Sequence, residues 1–169
     1  QVDKNAFVSQ PIGDLENEES VRSFQEAIDS LCRLYGVKPK VVVCDQHPDY
    51  LSTQYAESTA AEVIRVQHHH AHICACMAEN QLKGPVLGIS WDGTGYGPDR
   101  TVWGGEFLLV DNNTFDRVFK LRPFRLPGGE KAVKEPRRSA LGVLYELYGD
   151  RLQERSDLAL LNCFEEKEL

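Results

Sequence analysis

Segments typical of strands and of helices alternate along this chain before a hairpin closes the pattern. Short apolar runs rich in β-branched residues predict strands at 5–9, 40–44, 62–67 and 86–91. Apolar residues spaced by three or four predict helices at 17–35 and 136–148. Flanking loop and stop signals predict two more, at 50–57 and 68–82. Two further strand-like runs flank Asn112-Asn113, a good two-residue hairpin turn. Alternation favours parallel strands and a hairpin requires antiparallel ones, so we expect an α/β fold with a mixed sheet and flanking helices.

Composition narrows the classes of function. A chain of 169 residues with 41% hydrophobic residues can build a core. Its net charge of −7 argues against nucleic-acid binding, which needs clustered Lys and Arg. No apolar run approaches the roughly 20 residues of a membrane span, and the polar start does not resemble a signal peptide. Five cysteines without the spacing of a disulfide framework favour a cytoplasmic location.

Four of the five histidines fall at 68, 69, 70 and 72. In a helix that begins near Gln67, His68 and His72 lie one turn apart on one face and can share a metal ion. His69 and His70 point about 100° and 200° away from His68, so the four cannot bind one ion. Two ligands are too few for a catalytic metal, and an acidic residue elsewhere must supply the third. The alternative is that these histidines line the start of a helix with backbone partners.

A glycine-rich acidic segment, Asp-Gly-Thr-Gly-Tyr-Gly, occupies residues 92–97. Asp92 follows an apolar run, so we expect it to end a strand, where carboxylates of α/β folds commonly meet ligands. The three glycines free backbone N–H groups for an anion, and Thr94 adds a hydroxyl. The segment resembles the hairpin phosphate loop of actin-like and sugar-kinase-like proteins. On its own, a plain hairpin is an equally good interpretation.

Two further carboxylates leave alternatives open. Asp45 ends the strand at 40–44, where a loop cap and a site residue are equally good interpretations. Glu106 follows two glycines inside a strand-like run; it is a possible base, although an outward-facing ion pair is the favoured interpretation.

Six motifs in order resemble the Kae1-like domain of HypF, the carbamoyltransferase family of nickel–iron hydrogenase maturation. They are Cys-Asp-x-His-Pro-Asp-Tyr at 44–50, His-His-His-Ala-His at 68–72, Met-Ala-Glu-Asn at 77–80, Asp-Gly-Thr-Gly-Tyr-Gly at 92–97, Trp-Gly-Gly-Glu-Phe at 103–107 and Leu-Pro-Gly-Gly at 126–129. The resemblance covers nearly the whole chain and matches the first part of that domain.

The resemblance implies a fold of the actin/Hsp70/sugar-kinase (ASKHA) type and a transfer reaction. In the family, a YrdC-like domain makes carbamoyl-adenylate from carbamoyl phosphate and ATP. The Kae1-like domain then passes the carbamoyl group to the C-terminal cysteine of a HypE-type partner, a step towards the cyanide ligands of the hydrogenase iron. The nucleophile belongs to the partner, so no cysteine of this chain needs a catalytic role.

The resemblance also assigns residues. His68 and His72 match the family's metal-binding pair, and Asp92 is the expected third ligand. Histidine and carboxylate ligands suit zinc or iron alike. Asp92 and His69 are the candidate catalytic residues. The expected phosphate or nucleotide cradle consists of Gly93, Thr94, Gly95 and Gly97.

Two departures from the family pattern qualify these assignments. Arg100 stands where the family usually has glycine, so no family role is carried over to residues 98–101. A whole Kae1-like domain is also about twice this length, so we expect residues 1–169 to be part of a larger multidomain protein and inactive alone.

The alternatives to carbamoyl transfer to a HypE-type cysteine are an O-carbamoyltransferase, a relative of the enzyme that adds threonylcarbamoyl to transfer RNA, and a non-catalytic metal-binding interaction module.

Overall fold

The predicted helices and strands from residue 17 onwards form within three residues of their expected bounds, except at the glycine-rich segment. The structure, a computed structural model, describes residues 1–2 and 5–165. Its helices are α1 (Glu18–Tyr35), α2 (Leu51–Ser58), α3 (His68–Glu79), α4 (Glu130–Lys134) and α5 (Pro136–Tyr148). Its strands are β1 (Val41–Asp45), β2 (Glu62–Val66), β3 (Val86–Tyr96), β4 (Val102–Asp111) and β5 (Thr114–Lys120). The strand predicted at 5–9 is wrong, since only a single bridge between Val2 and Asn5 occurs there.

Both predicted strand directions are present. β1 and β2 pair in parallel across α2, whereas β3, β4 and β5 form an antiparallel meander. The α/β class with mixed pairing and flanking helices is therefore confirmed, although in the described part of the chain the two directions lie in separate sheets. Among the described helices, none combines the length and apolar character that crossing a membrane requires.

The chain divides into two compact units, Gln1–Phe119 and Lys120–Leu169. In the second unit, α5 and two short 3₁₀ helices (Gly149–Glu154 and Ala159–Cys163) enclose a small core. That core contains Leu141, Leu152 and Phe164.

In the first unit, α3 packs against the meander. Ile73 of α3 is buried with Leu108 and Val110 of β4, and burial of such side chains stabilises a fold by roughly 1.5–3 kcal/mol each. A Cβ on Gly88 would lie 2.5 Å from Ile73, so only glycine permits this close approach of helix and strand. The contact brings the histidine-bearing end of α3 next to β3.

The glycine-rich segment is not a turn. β3 continues through it to Tyr96, so the expectation that Asp92 ends the strand is wrong. Trp91 pairs with Gly105 and Gly95 pairs with Trp103, which leaves residues 92–94 opposite Gly104 alone. Two extra residues thus form an irregular bulge, and bulges re-aim side chains next to sites. Burial of the flanking β3 and β4 residues keeps the pairing on both sides, which glycine's weak strand propensity did not predict.

The turn between β3 and β4 lies just beyond this bulge. It is closed by hydrogen bonds from the Arg100 N–H to the Gly97 carbonyl and from the Gly97 N–H to the Thr101 carbonyl, both 2.9 Å. Arg100 takes a φ of +62°, the left-handed region that favours glycine. A left-handed turn residue is therefore the physical reason for glycine at this position in the family pattern.

Arg100→Gly should stabilise the chain. Relief of the left-handed backbone gains about 1–2 kcal/mol, and the greater freedom of glycine in the unfolded chain removes about 0.4–1 kcal/mol of that gain. We expect the free energy of unfolding in urea to rise by about 0.5–1 kcal/mol. Asn112→Gly is the matched control, because Asn112 is also left-handed (φ +53°) but asparagine tolerates that region. An equal or larger gain at Asn112 would contradict this explanation.

Candidate metal centre

Helix α3 begins at its first histidine because Gln67 caps it. The Gln67 side-chain oxygen accepts the His70 N–H at 2.9 Å, and the Gln67 amide nitrogen lies 3.0 Å from His69 Nδ1. With Gln67 as the cap, the side chains of His68 and His72 stay free of the helix end. They lie one turn apart as predicted, with ring centroids separated by 4.7 Å.

Three side chains converge at this end of α3. His68 Nε2 and His72 Nε2 lie 2.8 and 3.2 Å from Asp92 Oδ2, and the two Nε2 atoms lie 3.1 Å apart. Ligands placed about 2.0–2.2 Å from a tetrahedral ion lie about 3.3–3.6 Å from one another. The observed separations are close to these values, so the set fits one divalent ion with little rearrangement. The structure thus brings together the three residues that the sequence predicted as ligands.

Asp45 completes the surroundings of His68. Its Oδ2 lies 2.8 Å from His68 Nδ1, and its Oδ1 accepts the His47 N–H at 2.8 Å. Both interpretations of Asp45 therefore apply, because one oxygen caps the loop and the other orients the imidazole. A carboxylate on the far nitrogen of a metal-binding histidine fixes its tautomer and raises its basicity.

The position of Asp45 follows from the parallel pairing of β1 and β2. Asp45 is in register with Val66, and His68 comes two residues later. Parallel strands end at the same edge of a sheet, so an acid at the end of β1 was the available signal for this partner of His68.

Opposing effects act on the titration of the site. Burial lowers the pKa of His68, but the hydrogen bonds and charges of Asp45 and then Asp92 outweigh it, and the net pKa of His68 is raised. Burial raises the pKa of Asp92, but the Gly93 N–H and then His68 outweigh it, and the net pKa of Asp92 is lowered. Without a metal, the two carboxylates therefore favour the protonated form of His68.

His69 and His70 lie apart from the three converging side chains. His69 is fully buried, and burial is the main cause of its lowered pKa. A Cβ on Gly95 would lie 2.5 Å from the His69 ring, so Gly95 allows β3 to pass close over this imidazole. His70 is also buried and packs against the Phe115 ring, 4.8 Å away. The catalytic role of His69 stays a prediction.

The predicted phosphate cradle lies beside the cluster, along β3. The Gly93 N–H donates to Asp92 Oδ1 at 2.6 Å, and the Gly97 N–H is engaged in the turn. A Cβ on Gly93 would meet no atom within 4 Å, so this residue borders open space. Phosphate binding by Gly93, Thr94, Gly95 and Gly97 stays a prediction.

An aromatic pair flanks the site; both residues belong to the motif at 44–50, to which the sequence analysis gave no aromatic role. The rings of His47 and Tyr50 are stacked, with centroids 4.3 Å apart and planes 5° from parallel. Tyr96 meets His47 edge-on at 5.1 Å. Burial, followed by the charges of Asp45 and Asp92, raises the pKa of Tyr50, so its hydroxyl stays protonated at neutral pH.

Two family models match the chain in succession. The model described as the HypF Kae1-like domain matches residues 1–79, and that of the second subdomain of the carbamoyltransferase Kae1-like domain matches residues 88–168. Carbamoyltransferase HypF of Synechocystis sp. is 51% identical over 146 residues, which are 86% of this chain and 19% of the relative. Its counterpart in Rhizobium leguminosarum is 43% identical and covers 83% of this chain and 19% of the relative. The chain thus spans about a fifth of the length of these relatives.

Solved structures show the same likeness. Full-length HypF in a phosphate- and nucleotide-bound form is 44% identical, with a TM-score of 0.77 over 90% of this chain and 20% of that one. HypF of T. kodakarensis is 37% identical, with a TM-score of 0.80 over 86% of this chain and 20% of that one. The expected ASKHA-type α/β fold is confirmed by this likeness. The chain belongs to the HypF family, within the region of that family known as the Kae1-like domain.

Proposed function

We propose that this chain is the metal-binding part of a carbamoyltransferase. The observation that carries the proposal is the convergence of His68, His72 and Asp92 within reach of one ion, all three ligand atoms lying within 4.8 Å of one another. The relatives support the reaction class, since the Synechocystis and Rhizobium proteins are both named carbamoyltransferase HypF. A divalent ion held by these three side chains, zinc or iron, would supply Lewis-acid polarisation of a carbonyl or phosphoryl oxygen.

Each surrounding residue has a definite task in this proposal. Asp45 orients His68, and Asp92 contributes the negative charge that a cation needs. Three protein ligands are the number found in catalytic sites, which keep a further position for water or substrate. The His72 side chain is 59% exposed, so a substrate can approach from its side of the site.

The substrates and the partner follow from the family. Carbamoyl-adenylate, made by a YrdC-like domain, is the proposed donor, and the C-terminal cysteine of a HypE-type protein is the proposed acceptor in nickel–iron hydrogenase maturation. Nucleotide binding is supported by the relative that was solved with phosphate and nucleotide. All five cysteines are free thiols, which supports the proposed cytoplasmic location.

Metal titration tests the site itself. The metal-free chain should bind one Zn²⁺ or Fe²⁺ per molecule in equilibrium dialysis. Asp92→Asn should weaken binding at least about tenfold, since even the partners of ligands contribute about 10–100-fold in affinity. Asp49→Asn is the matched control, because Asp49 is exposed and its side chain lies outside the cluster. Equal affinity of wild type and Asp92→Asn would exclude this site.

Metal affinity should decrease as the pH is lowered, because a proton on His68 competes with the ion. Its pKa is raised above the usual value of about 6.5, so at pH 6.5 the protonated form of the metal-free imidazole predominates, and the ion must displace its Nε2 proton. Calorimetry at pH 6.5 in two buffers of different ionisation enthalpy should show net proton release on binding, and apparent affinity should fall as the pH drops further. Asp45→Asn removes the main cause of the raised pKa and should reduce the proton release. Unchanged release would contradict the assignment.

The reaction is tested in a longer relative. Substitution at the position of Asp92 in Synechocystis HypF should lower transfer of labelled carbamoyl to a HypE-type C-terminal peptide by about 100-fold or more, since an electrostatic contribution to the transition state is lost. ATP–pyrophosphate exchange with carbamoyl phosphate should persist, because the proposal gives that step to another domain. Transfer to a small alcohol or to transfer RNA in place of the peptide would favour the alternative relatives. Transfer by the isolated 169-residue chain would contradict its expected inactivity.

A further inference from the structure

We propose that Glu106 is a positioning residue, which holds the β3 bulge so that Asp92 points at the metal centre. This inference rests on the proposed metal-binding function. Glu106 touches neither ligand histidine in the structure; it acts through Gly104 and through Arg117.

Glu106 is a buried, fully engaged carboxylate. Its side chain is 2% exposed, and Arg117 meets it with two parallel hydrogen bonds, Nε to Oε2 at 2.6 Å and NH2 to Oε1 at 2.7 Å. A buried carboxylate needs such a bidentate partner, because an unpaired charge in a protein interior is strongly unfavourable. The expectation of an outward-facing ion pair is therefore wrong, and both oxygens are too occupied for Glu106 to act as a base.

A third hydrogen bond connects Glu106 to the bulge. The Gly104 N–H donates to Glu106 Oε1 at 3.1 Å. Gly104 is the single β4 residue opposite residues 92–94, and a Cβ on it would lie 3.5 Å from the carbonyl oxygens of both Asp92 and Gly93. The backbone that carries the Asp92 carboxylate therefore lies next to a residue whose N–H is bound by Glu106.

Arg117 extends the same support to the far side of the bulge. Its guanidinium lies 3.8 Å from the centre of the Trp103 ring and 3.7 Å from Asp99 Oδ2. Asp99 Oδ1 in turn accepts the Trp103 indole N–H at 2.9 Å. Trp103 pairs with Gly95, the first regular residue after the bulge. Glu106 and Arg117 thus hold the β4 residues next to residues 92–94. This restricts the conformations that the bulge can adopt.

The network also explains why a charged pair lies in this core at all. Burial of an ion pair seldom stabilises a fold more than apolar residues of the same shape. An irregular strand has several possible registers, and a directional, bidentate pair selects one of them. Asp92 is placed by that register, so affinity for the metal depends on a pair outside the coordination sphere, as it commonly does on residues beyond the ligands.

The test uses the 169-residue chain with Co²⁺ as the probe, because the visible absorption of Co²⁺ reports the geometry of its ligands. Glu106→Gln keeps the shape and an acceptor for Gly104 but removes the charge that Arg117 requires. We expect the Kd for Co²⁺ to rise about tenfold and the visible bands to change. Glu57→Gln, which breaks the exposed pair of Glu57 with Arg65, is the matched control and should change neither. All measurements are made well below the melting temperature of each variant.

Hydrogen exchange of the metal-free chain gives a second, independent measurement. Amides of residues 91–95 should exchange faster in Glu106→Gln, with those of α1 unchanged. Wild-type Kd, bands and exchange in Glu106→Gln would overturn the inference. If that variant does not fold, Arg117→Lys takes its place, since it keeps the charge but loses the bidentate contact. Arg117→Lys should show smaller changes in the same direction, and wild-type Kd, bands and exchange in this variant would also overturn the inference. Failure of the wild-type chain to bind Co²⁺ would instead overturn the proposed metal function, and exchange would still decide whether Glu106 holds the bulge.

Discussion

The site depends on one imidazole held between two carboxylates. His68 has Asp45 at one ring nitrogen and Asp92 at the other, each at 2.8 Å. The three residues come from three different elements, β1, α3 and β3. This interaction therefore connects the parallel strand pair to the meander at the candidate metal centre. It also sets the protonation of the metal-free site, because two negative partners outweigh the burial of a single imidazole.

Two kinds of support surround this interaction. On the helix side, the Gln67 cap and the close contact of Ile73 with Gly88 fix where α3 begins and how near it lies to β3. On the strand side, the bulge at 92–94 turns Asp92 towards the histidines. A regular strand places its side chains alternately on two faces, so the face of each residue is fixed by its neighbours. The bulge interrupts this alternation at Asp92. The glycines at 88 and 95 have a packing role, because a Cβ at either position would lie 2.5 Å from Ile73 or His69.

Much of this could be read from local patterns. The apolar runs at 40–44 and 62–67, the helical spacing in 17–35 and the Asn112-Asn113 turn depend on neighbours in sequence, and each of these predictions is confirmed. The pairing of His68 with His72 follows from the same local geometry, since residues four apart share a helix face. The glycine-rich segment is the exception. Its composition indicates a turn, whereas the strand pairing on both sides keeps it extended.

The sequence by itself determined which residue types were available and which of them share a helix or a strand, because these properties depend on contacts a few residues apart. Only the tertiary structure decided that Asp45 supports His68, that His69 is buried under Gly95, and that Glu106 faces inward to Arg117. Each of these depends on the register of paired strands and on how closely a helix approaches them. Burial energy summed over the whole core fixes those quantities, and no short stretch of sequence encodes that sum.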